Sequence, residues 1–379
     1  MKIVYWSFSI LPSQTANSVN VMKMANAFAN LGHEVILIAI EGDRSIESSK
    51  LFENYGVKNH FKIIRTTYPR VKLGWIVWGL LMLRIVVKTK PDLIFARDSF
   101  GAFLSALIGF NVFFEVHGAP HGRDKILFKF LFSLERIKKI VVISRSLRDY
   151  LCERFSINNN KMIIAPDAVD DSWITDGKNM KVYKKEFGFR EDDFLIGYTG
   201  SLYKGRGIEL IIEIAKLCPL DKFILIGGPR KERELFLGET KNLGLNNIRF
   251  KNYVPHSILP KYLFCCDILL MPYQRKIKTA NDGPDTSKFM SPLKMFEYMS
   301  SGKPIIASNH DVIKEILANE KNSLLVEPDN ISQWCNAIKK LKLDSKLAYD
   351  LGKNAKDDVR KFTWSERSKM ILNNWPDCH

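Results

Sequence analysis

The chain has 379 residues, of which 46% are hydrophobic, and 57 Lys and Arg against 41 Asp and Glu leave a formal charge of +16. That length suits two domains, each with enough apolar content for its own core, and the absence of low-complexity tracts or internal repeats excludes disordered and solenoid classes. The basic surplus favours anionic partners, meaning phosphorylated substrates or an anionic membrane face. Nucleic acid is not expected, because the Lys and Arg residues are dispersed and no nucleic-acid-binding motif accompanies them.

In chain order, the first residues form a short strand-like run, 2–7, followed by a turn at Pro12-Ser13. This is not a signal-peptide pattern, so a cytoplasmic location is expected. A helix is predicted from about 18 to 31, with Val21, Met24, Ala25 and Phe28 at helical spacing and Gly32 stopping it. Further strands are predicted at 34–40, 61–66, 92–96, 112–116, 140–143 and 162–165. Residues 34–40 are apolar on both faces, as a parallel sheet covered on both sides requires.

The stretch 73–83, LGWIVWGLLML, is uncharged and has Arg70, Lys72, Arg84, Lys88 and Lys90 around it. It is too short to span a bilayer, which needs about 20 apolar residues. Two readings stay open: a core helix covering the first sheet, or a helix lying in a membrane surface.

Residues 167–191 break the pattern with turn formers and mixed charge, and the alternation then restarts. Strands are predicted at 194–199, 223–226, 248–250, 268–271 and 304–307, with helices at 207–217, 258–264 and 293–300. Two βαβ series imply an α/β fold of two doubly wound Rossmann-like domains, 1–175 and 185–360, facing across a cleft. The cysteines at 152, 218, 265, 266, 335 and 378 form no C-x-x-C pair and have no zinc spacing, so free thiols and no metal site are expected.

Two segments have the make-up of phosphate-binding sites, the first of them being equally readable as an ordinary strand–helix turn with solvated basic residues. After the strand 194–199, the loop Gly200, Ser201, Leu202, Tyr203, Lys204, Gly205, Arg206, Gly207 leads into a helix. Glycines admit a ligand close to the backbone, the helix start is electropositive, and Lys204 or Arg206 adds full charge. It is neither a dinucleotide fingerprint nor a Walker loop. In the second segment, 291–308, Ser291 is expected as the N-cap and Pro292 as the first helical residue. Glu297 shares a helix face with Leu293 and Lys294. It is either a solvated helix glutamate or a carboxylate accepting two hydrogen bonds from a ribose diol. In the first half, Arg97-Asp98 and His117 each follow a predicted buried strand, where polar groups either meet a ligand or serve the structure.

Taken together, these segments resemble glycosyltransferase family four, whose fold is called GT-B. The resemblance spans nearly the whole chain: NSVNVMKMA (17–25), LGHEV (31–35), EVHG (115–118), APDAVD (165–170), GSL with Lys204-Gly205, IGG (226–228), DILLMP (267–272), FEYM (296–299) and GKPIIAS (302–308) occur in family order. FTW (362–364) resembles the start of the closing helix, 361–379, which in this fold returns to the first domain.

The resemblance implies a retaining, metal-independent transfer from a nucleotide-diphosphate sugar, with no cofactor. UDP is the expected nucleotide and GDP the alternative. Lys204 would neutralise the diphosphate, assisted by Ser201 and the helix start at Ser291, Leu293 and Lys294. Glu297 would bind the ribose, the backbone near Val254 the base, and His117 the transferred sugar. Two departures stand out. Phe289 occupies the position of the family's first glutamate, and Thr15-Ala16 that of its Gly-Gly loop, where Asn17 and Ser18 are expected to hydrogen-bond instead. The expected partners are the donor, a glycan or lipid-linked acceptor, and an anionic membrane surface. A nucleotide-sugar epimerase, a phosphorylase and a non-catalytic nucleotide-sugar binder on the same fold are the competing classes.

Overall fold

The computed structural model describes residues 1–43, 48–122, 124–174, 180–278 and 284–375. They divide into two compact units, Met1–Asp167 together with the segment from Trp364, and Ala168–Thr363. The division falls at 167/168 rather than near 175–185, because Val169 and Trp173 are buried in the core of the second unit. Cys378 lies outside the described residues, and the other five cysteines are free.

The first unit runs β1 (Lys2–Leu11), α1 (Ala16–Asn30), β2 (Glu34–Glu41), α2 (Ser48–Asn54), β3 (Lys62–Thr66), α3 (Gly74–Thr89), β4 (Leu93–Ala96), α4 (Ser99–Leu107), β5 (Val112–Val116), α5 (Asp124–Ser133), β6 (Ile137–Val142), α6 (Arg145–Phe155) and β7 (Met162–Ile164). Its strands are all parallel, in the order β3-β2-β1-β4-β5-β6-β7. Every residue of β4 and β5 is buried, as helices on both sheet faces demand.

The second unit runs α7 (Met180–Glu186), β8 (Leu195–Thr199), α8 (Ile208–Leu217), β9 (Lys222–Ile226), α9 (Arg230–Asn242), β10 (Ile248–Lys251), α10 (Leu259–Cys265), β11 (Ile268–Met271), α11 (Leu293–Ser301), β12 (Ile305–Ser308), α12 (Asp311–Lys314), β13 (Leu324–Val326), α13 (Ile331–Leu343) and α14 (Ser345–Val359). Its parallel sheet has the order β10-β9-β8-β11-β12-β13. The closing helix α15 (Trp364–Leu372) packs beside α1 in the first unit.

Each sheet thus reverses direction once, between β1 and β4 and between β8 and β11. In doubly wound sheets, ligands bind beyond the strand carboxyl ends at such a reversal. The polar residues of interest lie at those ends.

Two sequence expectations change. The helix start at 291–293 is shifted: Pro292 is extended (φ −75°, ψ 128°) and is itself the N-cap, so α11 begins at Leu293 and has no side-chain cap. The 73–83 stretch is a core helix on one side only. In α3, Trp78, Gly79, Met82 and Val86 are buried, while Val77, Leu80, Leu81 and Val87 are exposed. Among the described residues no helix is long and apolar enough to cross a membrane.

Candidate functional site

In the second unit, β8 ends at Thr199 and the chain turns sharply at Gly200 (φ +128°). A Cβ at Gly200 would lie 2.9 Å from the Lys294 Nζ, so the missing side chain is what lets Lys294 sit against the strand end. Gly207 (φ +82°) has the same function one loop further on, since a Cβ there would meet the Pro272 carbonyl oxygen at 1.9 Å. The start of α8 is thereby pressed against the end of β11. Neither α8 nor α11 has a side-chain cap, so their first N–H groups are free of that partner.

Lys294 is 8% exposed, and its Nζ has no hydrogen-bond partner among the described residues. The ammonium stands 3.8 Å over the Tyr198 ring and 5.3 Å from that of Tyr273. These faces stabilise a cation but do not replace hydrogen bonds. Burial, and then the neighbouring Arg206 guanidinium, hold its pKa well below the ordinary lysine value. Arg206 lies 5.2 Å over the Tyr273 ring, with a buried Nε that also lacks a partner. The Glu297 carboxylate on the same helix offsets this only in part, and a buried ammonium with no hydrogen-bond partner is costly to a fold unless a further anion completes it. The arrangement therefore fits a diphosphate placed between two helix starts and two cations.

Lys204 precedes Arg206 on the same loop and, unlike Lys294, is open to solvent. The loop is held through its backbone, by the Gln274 N–H to Gly205 O (2.9 Å) and the Lys278 N–H to Lys204 O (3.1 Å). Ser201 accepts from the Tyr198 hydroxyl through its carbonyl at 2.6 Å. Ser291 is buried, Leu293 partly so.

Glu297 is not a solvated helix residue: it is 6% exposed, and its Oε1 lies 3.0 Å from His256 Nε2. A carboxylate only accepts, so Nε2 donates. The Trp173 ring stacks on the imidazole at 4.5 Å, and His256 Nδ1 has no partner among the described residues. Val254, two residues before His256, is half-buried against the same core. Phe289 sits in a turn, its N–H bonded to Thr286 O at 3.1 Å. His256 was not legible as a site residue in the sequence. No motif marks it, and only the fold brings it to Glu297 and Trp173.

In the first unit, the strand ends at the reversal surround a fully buried acid, Glu115. Arg367 Nη2 of α15 donates to Glu115 Oε1 at 2.5 Å and the Tyr5 hydroxyl to Oε2 at 3.2 Å, while Arg97 Nη1 is 3.9 Å away. Burial alone would raise the Glu115 pKa, but Arg367, then His117 and Arg97, outweigh it and hold the group well below its ordinary value. His117 Nε2 is 3.3 Å from Glu115 Oε1. Burial, then the Arg97 charge, lowers the pKa of His117 and favours a neutral imidazole. Arg97 also donates to Asn20 Oδ1 at 2.6 Å, and Asn20 donates to Asp167 at 2.7 Å. The structure thus brings His117 and Arg97 into one network.

Asn17 and Ser18 lie outside that network. Asn17 donates to Ser9 Oγ at 2.7 Å. Ser18 is buried and donates to the Ser13 and Thr15 carbonyls, which shapes the loop before α1. Thr15 is the N-cap of α1. Arg367, Asn20 and Tyr5 were missed by sequence reasoning, because their partners are more than 70 residues distant in the chain.

Two doubly wound parallel sheets, one with a buried cation and two uncapped helix starts at its reversal, place the chain in the GT-B class of glycosyltransferases. A family model described as Glycosyltransferase Family 4 matches residues 18–173, and one described as Glycosyl transferases group 1 matches residues 179–358. The chain belongs to this family.

It is similar to an uncharacterized glycosyltransferase of Methanocaldococcus jannaschii, at 21% identity over 94% of this chain and 93% of that protein. It is also similar to the UDP-Gal:alpha-D-GlcNAc-diphosphoundecaprenol alpha-1,3-galactosyltransferase of Escherichia coli, at 22% identity over 73% of each. Among solved structures, Anabaena HepE in complex with UDP-glucose matches at a TM-score of 0.76 and 16% identity, over 98% of both chains.

Proposed function

We propose that this glycosyltransferase moves a hexosyl group from a UDP-sugar to a glycan or lipid-linked acceptor, with retention of configuration and without a metal. The observation that carries the reading is the buried, unpartnered Lys294 ammonium framed by Gly200. As the sugar leaves, charge grows on the distal phosphate. Lys294, Arg206 and the N–H groups at the starts of α8 and α11 are preorganised donors for it. Lys204, on its exposed loop, adds charge from the solvent side. Glu297 takes a ribose hydroxyl with the oxygen His256 leaves free, and the backbone near Val254 takes the base. The second unit is in this reading the donor-binding domain.

We assign His117, with Glu115 and Arg367 behind it, to the transferred sugar, and the first unit to the acceptor. UDP is supported over GDP by the HepE complex and the galactosyltransferase relative, whose names specify UDP compounds. The second name also motivates a polyprenyl-diphosphate type of acceptor, reached at the cytoplasmic membrane face.

A thermal-shift screen of the full chain against UDP-, GDP- and ADP-sugars tests the donor reading. A ligand at about 100 times its dissociation constant adds roughly 2.7 kcal/mol of stability. A shift with UDP-sugars that is as large in Lys294→Met as in the wild type would move the diphosphate elsewhere. The second reading, a binder without transfer, is motivated by Phe289 in place of an acid. Donor binding without turnover on any lipid-linked or glycan acceptor would favour it.

A further inference from the structure

From residue 70 to residue 90, every exposed side chain is either apolar or cationic. Leu73, Val77, Leu80, Leu81 and Val87 are between 41% and 55% exposed. Arg84 and Lys88 lie within the same stripe, at helical spacing from Val77, Leu80 and Leu81. No Asp or Glu occurs between Glu53 and Asp92. The opposite side of α3 is committed to the fold, since Trp78, Met82 and Val86 are buried and a Cβ on Gly79 would meet the Phe100 ring at 2.6 Å. α3 packs beside α4 and α4 beside α5, so these helices form one layer. On α5 four of the exposed residues repeat the chemistry, Ile126 (66%) and Phe130 (59%) alternating with Lys125 and Lys129, and the remaining exposed residue is Ser133 at its end.

A soluble surface rarely presents this much contiguous apolar area without an interaction to cover it. We infer that the outward face of the α3–α5 layer docks on an anionic lipid bilayer. Two features select lipid over a protein partner. The cations sit inside the apolar stripe, and long Arg and Lys side chains can lift their charges to lipid headgroups while their stems stay in the apolar zone. Protein interface cores, by contrast, are depleted in lysine. At 16 residues, α3 is about 24 Å long and too short to cross, so it lies in the interface plane. The inference names the lipid chemistry and the docking face for the membrane site proposed above. The docking itself is independent of the transfer reaction.

Sedimentation of the full chain with phosphatidylcholine vesicles, with and without phosphatidylglycerol, tests it. The protein is expected to pellet only with the anionic vesicles, and less so as salt rises. Arg84→Gln/Lys88→Gln should lower the partition coefficient roughly 30-fold at low salt, the loss of two surface cations. Leu80→Glu/Leu81→Glu should abolish binding. Both variants change exposed positions, and an unchanged UDP thermal shift would certify the fold and report the donor site separately.

A wild-type chain that stays in the supernatant with anionic vesicles overturns the inference, and so does binding indifferent to both variants. A lipid-free dimer that dissociates in Leu80→Glu/Leu81→Glu would assign the face to a second copy instead. Failure of the UDP shift, with vesicle binding intact, would count against the donor reading alone.

Discussion

His256 Nε2 and Glu297 Oε1 lie 3.0 Å apart, and both residues are more than nine-tenths buried. The imidazole is itself fixed by the Trp173 ring stacked on it at 4.5 Å. Glu297 therefore presents one free oxygen, in a fixed orientation, where an unpaired helix glutamate would sample several rotamers. His256→Ala should raise the KM for the donor roughly tenfold, the worth of a charge-assisted hydrogen bond, with kcat much less affected. His256→Gln, whose amide can donate from nearly the position of Nε2, should recover most of that loss. Equal losses in both variants, with kcat and KM moving together, would give His256 a purely structural role.

Lys294 is expected to trade stability for binding. Its pKa is lowered by burial and then by Arg206, so the folded chain holds this proton less tightly than the unfolded chain, whose reference value is 10.5. The unfolded state binds more protons in that window, so this group's destabilisation is full at low pH and is relieved as pH rises through the lowered value towards 10.5. Lys294→Met should raise the melting temperature at neutral pH by about 2–8 °C, and the gain should shrink in alkali. UDP affinity should fall roughly 10- to 100-fold in the same variant. Lys204→Ala should lower turnover by roughly 10²–10³ with no such gain in stability, since Lys204 is already exposed. Differential scanning calorimetry, with and without UDP, separates the two lysines.

The contrast between these lysines shows where the sequence stops being readable. Strand–helix alternation and apolar strands such as 34–40 expose the doubly wound plan, because burial on both faces leaves no polar alternation. β13, by contrast, has only three residues and gives no strand signal, whereas α13 and α14 do carry helical spacing in Trp334, Ile338 and Leu341 and in Leu351, Ala355 and Val359. A basic loop between glycines draws attention to Lys204, but burial is a property of packing. Only the approach of α11 to Gly200 makes Lys294 the enclosed cation. The same holds for Glu115 and Arg367, which are 252 residues apart.

Arg367 should be essential to the first unit rather than to catalysis alone. It donates to Glu115 and, through Nε and Nη2, to the Pro166 and Ala165 carbonyls at 2.8 and 3.1 Å. Removing it leaves a buried carboxylate with much less compensation, so Arg367→Met should cost about 3–5 kcal/mol. Adding Glu115→Leu should restore part of it, as replacing a whole buried ion pair is often nearly neutral. Glu115 has a folded pKa well below its reference of 4.5, so its contribution is present above pH 4.5 and lost as pH falls through the folded value. Acid unfolding curves of the wild type and Glu115→Gln should therefore converge at low pH. A constant gap between them would mean the carboxylate is not ionised in the fold.

Two glycine substitutions should separate the scaffold from the anion site. At Gly207 a Cβ would meet the Pro272 carbonyl at 1.9 Å, and φ is +82°, so the added atom collides with backbone that cannot turn aside. Gly207→Ala should cost about 2–4 kcal/mol of stability. At Gly200 the nearest atom is the Lys294 Nζ, 2.9 Å from the added Cβ and at the far end of a flexible chain. That lysine can retreat, so the cost of Gly200→Ala, about 1–3 kcal/mol, comes from a φ of +128°, beyond the left-handed well that other residues visit. Its displaced ammonium, however, should weaken UDP binding roughly tenfold. Urea unfolding and UDP titration of both variants read the two quantities independently. If Gly200→Ala binds UDP as tightly as the wild type, the position of Lys294 against the strand end is not what the ligand uses.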